Sequence, residues 1–332
     1  MWYWLRHDKA SLVLWQFRLF HRRDFKDSRW GVVLDGKYEN PYTVKMLASL
    51  KKKVPVICLV RDPISTLKSC VNQGIGDYVR DLVVDKNRNS PSTSAIDLLN
   101  KFIHSPNQQL RFTTGLQQVQ HIAAERTMLF DTTDVNSRDN TTKTLQQISK
   151  VLQIENVAYE ELFDQDVTFN DFVKRSFPKT ETIDVTSGCL KVIFGFKESF
   201  YRYFDGSRLT LPYPVLFENI PSSSFPNKSF RVLLGKRFVL ERTLKKLQED
   251  PNVKTAVSNA IEQYCAKVLE AERRYKETML DERDVLKLLK ENPESSKKLR
   301  ELLKYEVSEI ERLAPHIVEK WQYYKMFLED ES

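Results

Sequence analysis

The sequence predicts an α/β fold: three layers, α/β/α, around a mainly parallel sheet, with a β-rich insertion and a C-terminal helical region. Three observations predict it. A continuous apolar run from Val54 to Val60 ends abruptly at Arg61-Asp62-Pro63 and leads into a helix-compatible segment. A second short run, Arg126 to Phe130, is followed by Asp131-Thr132-Thr133-Asp134 and then by a stretch with Leu145, Ile148, Val151 and Leu152 on one helical face. Beyond residue 180 the pattern changes to short strand-like runs, and beyond 240 to helical periodicity. Short β-branched runs mark strands buried on both faces, as in parallel sheets, and strands alternating with helices mark crossover units.

In chain order, residues 1–30 read as a helix followed by a basic loop. The LVLWQF run, Leu12 to Phe17, is expected to be helical because Trp15, Phe17 and Phe20 do not alternate with polar positions. Trp2, Trp4, Trp15, Phe17 and Phe20 are expected to pack on the domain, with a membrane-surface role as the alternative. Arg6, His7, Asp8, Lys9 and Arg18 break these apolar runs short of spanning length, so neither a signal peptide nor a transmembrane helix is expected. Gly31 to Leu34 reads as a strand. Asn40-Pro41 opens a helix carrying Val44, Met46, Leu47 and Leu50, and with the strand 54–60 this makes one right-handed βαβ crossover. Pro63 cannot extend a strand but suits the first turn of a helix. Residues 77–125 are expected to be helices, with NRNSPSTS as a loop, lying over the active-site side.

In 180–240 the runs CLKVIFGF, RLTLPYPVLF and SFRVLLGKRF are separated by turn-like DGS and IPSSSFPNKS. Phe194, Tyr201, Tyr203, Phe204, Tyr213 and Phe217 are expected to form the core of a small sheet rather than a sugar-stacking platform. From 240 to 330, Pro251 and Asn292-Pro293 punctuate helices, the latter pair as N-cap and N1. One helix is expected near 253–280, with a stripe of Val257, Ile261, Tyr264, Val268 and Leu269; another starts near 294 and is interrupted at Pro315. Such a helical hairpin docks on the domain or on a second subunit, so an oligomer through the C-terminal helices is an expectation. The expected divisions are 1–180, 181–240 and 241–332.

Composition narrows the class. The chain has 332 residues, 41% of them hydrophobic, and a net charge of +7. That excess suits anionic ligands without amounting to the basic stripe of a nucleic-acid binder, and no specific nucleic acid is expected. Cys58, Cys70, Cys189 and Cys265 share no CxxC spacing, so free thiols in a reducing compartment are expected. The expected location is the cytoplasm, with the inner face of the membrane as an option. His21, His104 and His121 lack metal-ligand spacing, there is no HExxH or GxSxG, and no metal is expected.

The candidate site starts at Arg61. It stands at the carboxyl end of its strand, where open α/β sheets bind ligands. Ser69 follows eight residues later, two helical turns along, and an Arg fork beside a hydroxyl is a receptor for phosphate.

This pattern resembles the sulfotransferases that use 3′-phosphoadenosine 5′-phosphosulfate. In that family a strand ends in Arg, and a Ser eight residues on helps it hold the 3′-phosphate. The resemblance covers about residues 30–155 and is closest to uncharacterised bacterial sulfotransferase-like proteins of surface-glycan loci. It implies that Arg61 and Ser69 bind the nucleotide and that Lys37, in a loose version of the family's (D/E)K(T/Y)P segment with Asp35, Tyr38 and Pro41, neutralises charge on the departing group. It implies Glu39 or Asp35 as the base, a structural acidic turn at Asp131 and Asp134, and 3′-phosphoadenosine 5′-phosphosulfate as donor. The acceptor would be a hydroxyl or amine of a bacterial surface glycan such as capsule or lipooligosaccharide. One departure stands out. The family's phosphosulfate loop has no counterpart before Gly31, and none of the nine glycines forms GxxxxGK[ST] or GxGxxG. Two expectations follow: the first strand and loop lie upstream, or the chain has lost them. The alternatives are a degenerate, non-catalytic sulfotransferase-like protein that binds a glycan or a partner, and a nucleotide- or RNA-binding interaction protein.

Overall fold

The computed structural model describes residues 54–84, 94–105, 110–122, 124–152, 172–173, 176–186, 188–196, 213–236 and 239–330. The expectations for the N-terminal helix, the strand at Gly31 to Leu34, the helix after Pro41, and Tyr201, Tyr203 and Phe204 lie outside the described residues.

The elements are β1 (Val54–Val60), α1 (Pro63–Val84), α2 (Ala95–His104), α3 (Phe112–Ile122), β2 (Ala124–Asp131), a 3-10 turn (Thr132–Val135) and α4 (Arg138–Leu152). Then follow β3 (Lys179–Val185), β4 (Gly188–Phe196), β5 (Val215–Pro221) and β6 (Ser229–Leu234). The C-terminal part is α5 (Glu241–Glu249), α6 (Pro251–Thr278), α7 (Glu282–Lys290), α8 (Pro293–Glu306), α9 (Ser308–Leu313), α10 (Pro315–Val318) and α11 (Gln322–Glu329). The fold is mixed α/β, with a small parallel sheet and a separate antiparallel one. The chain divides into two compact units that are not contiguous segments. One comprises the described parts of Met1–Gly74, Ser94–Asp166 and Leu280–Ser332; the other, those of Ile75–Thr93 and Val167–Met279.

In the first unit β1 and β2 pair in parallel, with Val60 opposite Asp131, so both strands end at the same level. Parallel pairing follows from the intervening helices α1 to α3, which return the chain to the start of the sheet. The expectation that β1 is buried on both faces is corrected. Val60 is buried, but Ile57 and Leu59 are 39% and 57% exposed. These two side chains share one face of the pleat, and the described residues leave that face uncovered. Ile64, Leu67 and Val71, at helical spacing on α1, and Leu98, Leu99 and Ile103 of α2 are buried.

The second unit has the antiparallel sheet β3-β4-β6-β5. Gly188, at φ 120, takes the left-handed turn position that opens β4. Val192, Phe194 and Phe196 of β4 and Phe230, Val232 and Leu234 of β6 alternate along their strands, and all belong to one buried cluster. Helix α6 closes that cluster with Val253, Val257, Ile261, Tyr264, Cys265 and Val268. Leu269, expected in the same stripe, is 36% exposed, because it follows Val268 by one residue and is turned about 100° from it. Phe177 meets Phe196 at 4.7 Å and Tyr264 at 5.4 Å, and the Tyr264 hydroxyl donates to the Ser176 carbonyl at 2.7 Å. On the opposite face Ile193 and Leu233 pack with Tyr213 and Val215. Phe194, Tyr213 and Phe217 therefore sit in or against cores.

Asn292 precedes Pro293 as the N-cap of α8, but its side chain makes no cap bond there. Its Nδ2 instead donates to the Leu288 carbonyl at 2.7 Å, tying down the end of the preceding helix.

All four cysteines are free. Burial pushes the Cys265 thiol up to about 12, whereas the exposed Cys189 is raised chiefly by its hydrogen bond to the Asp184 carboxylate. Since thiolate and access both govern alkylation, iodoacetamide at pH 8 is expected to label Cys189 of the native protein well before Cys265. Peptide mapping by mass spectrometry checks this; equal native labelling rates would contradict the packing of α6.

Candidate anion site at the carboxyl ends of the parallel strands

The site is built where β1 and β2 end. Asp62 follows β1 and precedes Pro63, so it is the N-cap of α1, a helix with no acidic residue in its own first turn. One carboxylate oxygen, Oδ1, accepts from the amides of Ile64 at 2.8 Å and Ser65 at 3.4 Å. The other, Oδ2, accepts from the amides of Tyr323 at 3.0 Å and Tyr324 at 3.1 Å, in the first turn of α11. A single carboxylate thus satisfies orphan donors of two helices and faces the positive ends of both macrodipoles. It is buried, and burial pushes its pKa up against the four amides, which pull it down.

Asp131 does the same for β2. Its Oδ1 accepts from the Thr133 amide at 2.8 Å, its Oδ2 accepts from Trp321 Nε1 at 2.6 Å, and its own amide donates to Asp134 Oδ2 at 2.9 Å. Trp321 is buried between Phe112 and Tyr324, with ring centroids 6.2 and 6.1 Å away. Both strand ends are therefore fastened to the start of α11. A third buried carboxylate, Glu306, accepts from the Thr114 amide at 3.0 Å and its hydroxyl at 2.6 Å, in the first turn of α3.

Arg61, half-buried beside this junction, is the residue left facing outward. Its Nη1 donates to Ser69 Oγ at 2.9 Å. Ser69 Oγ in turn donates back to the Ser65 carbonyl at 3.0 Å, a turn earlier on α1. Among the described residues Arg61 forms no ion pair, so the remaining edge of its guanidinium is available to an acceptor. The two side chains converge, as a shared anion requires.

Next to them lies a group that sequence reasoning did not single out. Ser65 Oγ donates to Glu282 Oε1 at 2.9 Å, and Lys68 Nζ pairs with the same oxygen at 2.9 Å. Burial raises the Glu282 pKa, but the bonds from Lys68 and Ser65 outweigh it and hold the carboxyl below its usual range. Asn72, one turn further, clamps Leu280 both ways: Nδ2 donates to the Leu280 carbonyl at 2.8 Å, and Oδ1 accepts from its amide at 2.9 Å. Ser65, Ser69 and Asn72 lie on one face of α1 at i, i+4 and i+7. The spacing was readable in the sequence; the partner 217 residues away was not.

Lys37, Glu39 and Asp35 lie outside the described residues. Among the described residues no three His, Cys, Asp or Glu side chains gather as a metal-binding group, and no helix is long and apolar enough to cross a membrane.

A family model described as "Protein of unknown function (DUF2972)" matches residues 231–329. The chain is similar to that family from β6 to the end of α11, a stretch that holds Glu282, Trp321 and the two amides bound by Asp62, but not Arg61 or Ser69. No curated protein and no solved structure matches.

Proposed function

We propose that the chain is a sulfotransferase-like protein that binds 3′-phosphoadenosine 5′-phosphosulfate through its 3′-phosphate at Arg61 and Ser69. The reading is supported by one observation above all: Arg61 at the carboxyl end of β1 reaches Ser69 on α1 at 2.9 Å and has no carboxylate partner among the described residues. A phosphate there takes the free edge of the guanidinium, and the Ser69 hydroxyl turns its proton from the Ser65 carbonyl to the ligand. In this reading β1 and β2 are part of a larger parallel sheet in a three-layer α/β/α domain.

The transfer itself is a displacement at sulfur. The acceptor hydroxyl or amine, on a bacterial surface glycan, forms the new bond to sulfur as the bridging bond to the 5′-phosphate breaks. Adenosine 3′,5′-bisphosphate leaves. Glu39 or Asp35 takes the acceptor proton, and Lys37 balances charge on the bridging oxygen, the two roles such a transition state asks of a protein. The work belongs to the cytoplasm or the inner face of the membrane, where nucleotide donors meet glycan precursors.

Titration calorimetry with adenosine 3′,5′-bisphosphate and with adenosine 5′-phosphate tests the binding claim. The bisphosphate is expected to bind more tightly, and Arg61→Ala is expected to remove about 1.5–3 kcal/mol of its affinity, the worth of a charge-assisted contact. Equal affinity for both nucleotides would overturn the reading. A second reading is nucleotide binding without turnover. Release of bisphosphate in the presence of a glycan acceptor separates the two.

A further inference from the structure

We propose that Glu282 is an internal counter-ion that occupies Lys68 and so sets the affinity of the Arg61–Ser69 site for anions. The inference rests on the phosphate-binding reading and adds a regulator to the same site. A continuous set of contacts carries it. Arg61 Nη1 meets Ser69 Oγ at 2.9 Å, Ser69 Oγ meets the Ser65 carbonyl at 3.0 Å, and Ser65 Oγ meets Glu282 Oε1 at 2.9 Å. Lys68 Nζ takes that same Oε1 at 2.9 Å. Lys68 immediately precedes Ser69 on α1, and its side chain is 21% exposed, against 16% for Glu282. It is therefore a shielded cation one residue from the proposed phosphate ligand, held by a carboxylate that a phosphate must compete with.

The charges explain why a counter-ion belongs there. Arg61, just before α1, and Lys68, in its second turn, would otherwise stand as two cations, one bonded to Ser69 and one next to it in the chain, with no carboxylate among the described residues to balance them. Glu282 neutralises one of them while the site is free. A lysine amine on four methylenes turns between partners without moving the backbone. When a phosphate sits on Arg61 and Ser69, Lys68 exchanges Glu282 for a phosphate oxygen, and Glu282 keeps the Ser65 hydroxyl. Glu282 is the first residue of α7, and Leu280, two residues before it, is clamped by Asn72, so the carboxylate is presented by a fixed backbone.

Glu282→Gln is the informative substitution, because the amide oxygen still accepts from Ser65 while the negative charge that holds Lys68 is gone and Lys68 stays cationic. In titrations with adenosine 3′,5′-bisphosphate, E282Q is expected to bind roughly threefold to tenfold more tightly than the wild type, the range of a partly shielded ion pair. Lys68→Met is expected to weaken binding and to abolish the gain in the double variant with E282Q. Circular dichroism and the urea midpoint show that each variant is folded. Unchanged affinity in E282Q, with binding still lost in Arg61→Ala, would overturn the counter-ion role and leave the phosphate site standing. Where the wild type binds too weakly to measure, E282Q is expected to gain measurable binding; binding by neither removes the phosphate site and the counter-ion with it.

Discussion

Asp62→Ala is expected to lower the unfolding free energy by about 1–4 kcal/mol, the sum of two lost helix caps at about 0.5–2 kcal/mol each. The substitution strands four amides at once, two at the start of α1 and two at the start of α11, in a place where only 7% of the residue meets solvent. Water does not replace the lost acceptor cheaply at such burial. Asp62→Asn keeps one acceptor oxygen and is expected to lose roughly half as much. Urea unfolding followed by circular dichroism measures both, and an unchanged midpoint for Asp62→Ala would contradict the double cap. Limited proteolysis gives a second readout, since α11 is expected to be cut first once its amides are released.

Trp321→Ala is expected to be costlier still, about 3–5 kcal/mol, in the range of large aromatic deletions from a core. The indole is 2% exposed, packs against Phe112 and Tyr324, and gives Asp131 one of its hydrogen bonds. Trp321→Phe separates packing from polarity: it keeps most of the apolar contact and leaves Asp131 Oδ2 without its indole donor, for a loss of about 1–3 kcal/mol. If Trp321→Phe cost nothing, the Trp321–Asp131 bond would not be what fastens α11 to the end of β2.

The local elements were legible in the sequence where a single signal dominated. The run Val54 to Val60, the Pro63 start of α1, the Arg126 to Phe130 strand and the α6 periodicity all appear as expected, because propensity, period and turn chemistry agree there. The Arg61–Ser69 pairing was also readable, since two helical turns fix the offset between a strand end and a hydroxyl. The rest depends on distant partners. Asp62 before Pro63 carries the ordinary signature of an N-cap, yet nothing in the sequence tells that its second oxygen takes amides 261 and 262 residues away. Glu282 reads as an ordinary first-turn acid of α7, and its pairing with Ser65 and Lys68 is a product of packing. Asn292 shows the limit of a motif: the Asn-Pro pair marks the helix boundary correctly, but the side chain turns back to Leu288. Leu269 shows the limit of a period, since adjacent apolar residues on a helix cannot share one narrow face.

The most direct test of the central claim, that Arg61 and Ser69 hold one phosphate, is a double-mutant cycle on adenosine 3′,5′-bisphosphate affinity with Arg61→Ala, Ser69→Ala and both together. Two residues that touch each other and one ligand group couple, whereas separate residues add. The double variant is expected to lose distinctly less affinity than the two single losses combined, by about 0.5–3 kcal/mol, with adenosine 5′-phosphate affinity unchanged throughout. Strictly additive losses, or equal losses for both nucleotides, would contradict it.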